Sequence, residues 1–122
     1  MKIALENPLL RKRYPAEEGS TIASVIDTGY EGFLSVPNSV FRELSLNQLY
    51  VEKRKIAFPD GTLSETRGYY ATLRIPDISF KMDGFVETFP GLDEVILGAE
   101  ALSEMRVILD YCARMVKVEK CR

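Results

Sequence analysis

Apolar residues recur at every second position along much of this chain, which is the period of a β-strand with one buried face. Tyr69, Ala71, Leu73 and Ile75 fall on one face of such a strand, with Tyr70, Thr72 and Arg74 on the other. Val107, Leu109 and Tyr111 repeat the pattern. Val116 and Val118 repeat it again, with Lys117 and Glu119 turned away. The same reading predicts strands over Ile3–Leu5, Thr21–Ile26, Tyr50–Phe58, Ser79–Met82 and Phe85–Phe89. Asp60-Gly61 and Asp83-Gly84 each predict a hairpin turn, because glycine accepts the positive φ that a tight turn needs. Two short helices interrupt the strands. Pro37-Asn38-Ser39 predicts a helix start, with Val40, Phe41 and Leu44 as its buried stripe. Gly98 precedes the second, in which Ala101, Leu102 and Met105 share a face. The expected class is therefore mainly β. Residues 1–122, without linker, repeat or low-complexity tract, are expected to form a single domain.

Composition narrows the chemistry. At 46% hydrophobic and 28% charged, the chain has the make-up of a soluble globular domain, and no segment is apolar for long enough to span a membrane. The N-terminal residues Met1–Pro8 lack the uninterrupted apolar run of a secretory signal, so a cytoplasmic location is expected. The formal net charge of −2 argues against a nucleic-acid partner, which needs many phosphate-neutralising cations. The basic run Arg11-Lys12-Arg13 is followed by Glu17-Glu18 and reads as a solvated loop. Histidine is absent, which removes Ser-His and Cys-His nucleophiles and most zinc sites. Cys112 and Cys121 match no metal or redox spacing and read as free thiols.

One motif carries chemistry. The apolar run Ile22-Ala23-Ser24-Val25-Ile26 ends at Asp27-Thr28-Gly29. A strand that ends in a carboxylate and turns at a glycine places that carboxylate at a sheet rim, within reach of a substrate. The motif occurs once, so catalysis by a pair of aspartates requires two copies of the chain.

The block Ser24-Val25-Ile26-Asp27-Thr28-Gly29, followed by Phe33-Leu34-Ser35-Val36-Pro37, resembles the retropepsin-like aspartic proteases, and most closely their prokaryotic and archaeal members. A second matching block is Val95-Ile96-Leu97-Gly98-Ala99-Glu100-Ala101-Leu102, followed by Val107-Ile108-Leu109-Asp110. Between them, Phe58-Pro59-Asp60-Gly61-Thr62 stands where that family carries its flap, a hairpin that closes over substrate. The resemblance implies a closed, barrel-like β fold that works as a two-fold dimer, with no metal and no cofactor. It makes Asp27, Thr28 and Gly29 the catalytic loop, with Thr28 bracing the two loops and Gly29 admitting substrate backbone. Tyr30, Glu31 and Gly32 would line the peptide groove, with Phe58, Asp60 and Gly61 above it. Ile96, Leu97 and Gly98 would back the loop. Tyr30 stands where retroviral members carry alanine or serine, which implies a narrower groove.

The implied activity is peptide-bond hydrolysis at acidic pH. Two aspartates held together cannot both ionise easily, so the pair shares one proton. The ionised member activates water, and the protonated member donates to the peptide carbonyl oxygen. The alternative is a silent dimer of the same fold that binds extended peptides as added strands without cutting them.

Overall fold

A computed structural model of the chain describes residues 1–121. Its strands are β1 (Lys2–Asn7), β2 (Lys12–Tyr14), β3 (Ile22–Ala23), β4 (Val25–Ile26), β5 (Leu34–Ser35), β6 (Glu52–Ala57), β7 (Leu63–Ile75), β8 (Phe80–Thr88), β9 (Ile96–Leu97), β10 (Met105–Asp110) and β11 (Met115–Lys120). Two short helices, α1 (Asn38–Glu43) and α2 (Ala99–Leu102), complete the mainly β architecture. One curled, half-barrel sheet runs in the order β2-β1-β7-β8-β5-β9-β4, with β3 joined to β1 and β6 to β7. β10 and β11 form a separate antiparallel hairpin.

The alternating pattern of β7 does what its period requires. Ala71, Leu73 and Ile75 are buried in the core, while on the opposite face Tyr70 is exposed and Arg74 pairs with Glu6 at 2.7 Å. The core gathers Ile3 and Leu5 of β1, Phe33, Leu34 and Val36 around β5, Phe41 and Leu44 from α1, and Leu97 of β9. Ala101, Leu102 and Met105 close it from the other side. Burial of these side chains, at roughly 1.5–3 kcal/mol each against full exposure, is the main drive for the sheet to curl around them.

Several boundaries differ from the sequence reading. Asp83-Gly84 is no turn: it lies inside β8, which fuses the two segments expected over Ser79–Met82 and Phe85–Phe89. Gly84 is there for space, because a Cβ would run into the Phe33 ring beneath it. The chain reverses earlier, through a 3-10 turn at Pro76–Ile78 that ends on Ser79 at φ 50°. The strand expected over Thr21–Ile26 breaks into β3 and β4 at Ser24, whose N–H and hydroxyl both donate to the Met1 carbonyl, at 2.8 and 2.9 Å. The break lets one segment pair with β1 on one side and with β9 on the other. The basic run is also more ordered than a loop. Lys12–Tyr14 pairs with β1, and Arg13 donates to the Glu17 and Ser20 carbonyls. Tyr111 belongs to the β10–β11 turn and not to the strand.

Candidate active site

Asp27 follows β4 directly, and its exposure is set by what holds β4 in place. β9 lies between two neighbours, parallel to β4 and antiparallel to β5. This three-strand unit runs on as hydrogen bonds into the loop. The Asp27 N–H donates to the Leu97 carbonyl at 3.0 Å, and the Gly98 N–H donates to the Phe33 carbonyl at 3.0 Å. Beyond Gly98, the first residues of α2 reach back. The Ala99 N–H donates to the Tyr30 carbonyl at 2.7 Å, and the Glu100 N–H to the Gly32 carbonyl at 3.1 Å. Gly98 must be glycine for this approach, since a Cβ there would collide with the Gly32 carbonyl and the Tyr30 ring. Ile96, Leu97 and Gly98 thus form the backing of the loop in the literal sense, with Leu97 fully buried.

Within the loop the carboxylate is held but open to solvent. Asp27 Oδ1 accepts the Gly29 N–H at 2.9 Å, and the Asp27 carbonyl accepts the Tyr30 N–H at 3.2 Å, which makes a tight turn over Thr28. Asp27, Thr28, Gly29 and Glu31 are all exposed. A surface concavity of about 640 Å³ opens beside β4, walled by residues that include Ser24, Val25, Pro37, Val40 and Glu94. Asp27 is not among its walls, so that hollow is no cleft around the carboxylate.

Tyr30 is directed inward. Its hydroxyl donates to Glu87 Oε2 on β8, and its ring lies over Gly32 and Gly98, where any Cβ would overlap it. Burial, then the hydrogen bond to Glu87, holds the phenol well above the ordinary tyrosine range; the negative charges of Glu87 and Glu100 add to the effect. Glu87 itself is 4% exposed, and its Oε1 has no hydrogen-bond partner among the described residues. The sequence reading named Tyr30 but not Glu87. The available signal was an acidic residue inside the apolar run Gly84-Phe85-Val86-Glu87-Thr88-Phe89.

The hairpin residues named in the sequence form the tip between β6 and β7. The Gly61 N–H donates to the Phe58 carbonyl at 2.9 Å, and Gly61 takes φ 87°, the left-handed position that closes a three-residue loop. Asp60 Oδ1 accepts both the N–H and the hydroxyl of Thr62, at 2.9 and 2.6 Å, and these bonds hold its carboxyl below the usual carboxylate range. Phe58 is half-buried and meets the Phe89 ring edge-on at 5.7 Å. The tip is therefore tied by an aromatic pair to the segment that leads into β9.

No protein-family model matches the chain. An uncharacterized protein of Archaeoglobus fulgidus is 46% identical to it over 121 residues, spanning 99% of this chain and 93% of that protein. The chain belongs to the family of this archaeal protein. Among the described residues of this family member, no cluster of His, Cys, Asp or Glu could hold a metal ion, and no helix is long and apolar enough to cross a membrane.

Proposed function

We propose that this protein is a retropepsin-like aspartic endopeptidase, in which Asp27 from each of two chains forms the catalytic pair. The observation that carries the reading is a solvent-open carboxylate at the end of β4, which accepts the Gly29 N–H while the Asp27 N–H donates to the Leu97 carbonyl. A loop braced from beneath and open above suits a carboxyl that must meet a partner across a two-fold axis. The sheet curls into a half-barrel, where the resemblance implies a closed barrel, and on this reading the partner copy would complete the enclosure. In the dimer, one Asp27 would activate water while the other, protonated, donates to the peptide carbonyl oxygen.

Two further features favour a partner copy. Asp27 is exposed and lies outside the walls of the concavity beside β4, so on this reading a second copy would supply the walls of a groove. The β10–β11 hairpin also offers an unpacked apolar face. Val118 is 7% exposed where the hairpin meets the body, but Leu109 and Val116, paired further out on the same face, are 56% and 49% exposed. The β6–β7 tip would act as the flap, and an extended peptide would bind beneath it as an added strand.

The test is peptide hydrolysis from about pH 3 to pH 7 by the parent protein and its Asp27→Asn variant, across concentrations that span monomer and dimer. Acid-dependent cleavage by the parent alone, with specific activity rising as dimer forms, is the expected result. A verified dimer that cuts nothing in a broad peptide library would leave the peptide-binding role in place of the protease.

A further inference from the structure

A buried carboxyl needs a reason to be buried, and Glu87 has few of the usual ones. It is almost fully enclosed on β8, and no Lys or Arg nitrogen lies within 4 Å of it among the described residues. One oxygen takes the Tyr30 hydroxyl; the other finds no partner. An apolar residue at this place would avoid the cost of burying an unsatisfied oxygen. Across the strands, Glu87 stands opposite Ser35 of β5 and Gly68 of β7, where the Phe85 ring takes the place of a side chain on Gly68. The Ser35 hydroxyl lies against the same phenol.

We propose that Glu87 is a positioning residue for the Asp27 loop, acting through the Tyr30 hydroxyl that it accepts. Tyr30 is the point where the loop is tied at three places. Its N–H donates to the Asp27 carbonyl, its carbonyl accepts the Ala99 N–H, and its ring fills the gap over Gly32 and Gly98. Anchoring the far end of the side chain fixes the ring, and the fixed ring holds the backbone that presents Asp27. The structural half of the proposal is independent of the reaction; the catalytic half rests on the two-aspartate reading.

Three variants separate positioning from mere packing: Tyr30→Phe, Glu87→Leu and Glu87→Gln. Two readouts are made on each: residue-resolved amide hydrogen exchange, and kcat and KM measured separately. Loss of the bond in Tyr30→Phe and Glu87→Leu is expected to lower protection of the Tyr30 and Ala99 amides at least about tenfold, with the β7 and β8 amides unchanged. In the same variants kcat should fall roughly ten- to a hundredfold, as for small misplacements of catalytic groups, with KM little changed. Glu87→Gln keeps an acceptor for the phenol and should restore both readouts. Uniform loss of protection across the sheet, or a loop that keeps its protection in Tyr30→Phe, would overturn the proposal. If Glu87→Leu fails to fold, Tyr30→Phe and Glu87→Gln still decide it. If the parent cuts no peptide, the protease reading fails, while the exchange data still judge the positioning role.

Discussion

The Asp27 N–H and the Leu97 carbonyl meet at 3.0 Å, so the loop that carries the carboxylate is closed by a segment from the far end of the chain. Loop position and core packing are therefore the same problem at Leu97. Its carbonyl holds the loop, while its side chain is fully buried among Phe33, Leu34 and Val36.

Leu97→Ala should accordingly cost stability in the range of a buried leucine truncation, about 2–5 kcal/mol. Urea denaturation of parent and variant measures this. A change below about 1 kcal/mol would mean that the space behind the loop collapses readily, contrary to the packing described.

Gly98→Ala tests the close approach beneath the loop. A Cβ there meets the Gly32 carbonyl and the Tyr30 ring, and neither is free to move without opening the turn. We expect a loss of at least roughly 1–3 kcal/mol, the usual cost of forcing extra volume into a packed site. Loss of any activity at Asp27 should accompany it. Wild-type thermal stability in this variant would contradict the packing of α2 against the loop.

The environment of Tyr30 makes an alkaline prediction. Its phenol is held above the ordinary tyrosine range first by burial and then by its bond to Glu87. Ultraviolet titration should therefore show a tyrosine that stays protonated above the ordinary tyrosine range. In an unfolded chain Tyr30 would ionise near the ordinary tyrosine value of 10.0, more easily than in the fold. The stability it contributes is thus fully present below that pH and is lost as pH rises above it. Tyr30→Phe should remove the late-titrating group and flatten that part of the stability profile.

At the β6–β7 tip the sign is reversed. Asp60 is held below its ordinary value by the Thr62 hydroxyl and N–H, so its contribution is present above the ordinary carboxylate range. It is lost as pH falls through the lowered value of the folded state. Nuclear magnetic resonance of the Thr62 amide should report a looser turn only at strongly acid pH. In Asp60→Ala the amide should look loose at every pH, and a Thr62 signal that ignores both changes would refute the role given to this carboxylate.

Much of the fold is legible in the sequence wherever one face of a strand is buried. The alternation over Tyr69–Ile75 and the stripe Val40, Phe41, Leu44 both translate directly into core. Legibility fails where glycine serves space and not a turn. Asp83-Gly84 has the residues of a hairpin turn, yet Gly84 lies flat in β8 because the Phe33 ring occupies the place of its side chain. That contact joins residues far apart in the chain, and no local pattern signals it. The same holds for the candidate site. The Asp27 motif stands out in the sequence as a short run of distinctive residues, whereas the placing of Ile96-Leu97-Gly98 behind it comes from the family resemblance. The Tyr30–Glu87 bond cannot be read from the sequence, because a single acidic residue in an apolar run reveals nothing of its partner.

The threading of β9 between β4 and β5 also has a consequence for synthesis. The motif sits in the first third of the chain, but the carbonyl and amides that complete its loop belong to Leu97, Gly98 and Ala99. A nascent chain still short of those residues carries the aspartate without the scaffold that presents it. The order of translation therefore delays assembly of the site until the residues through Ala99 have left the ribosome.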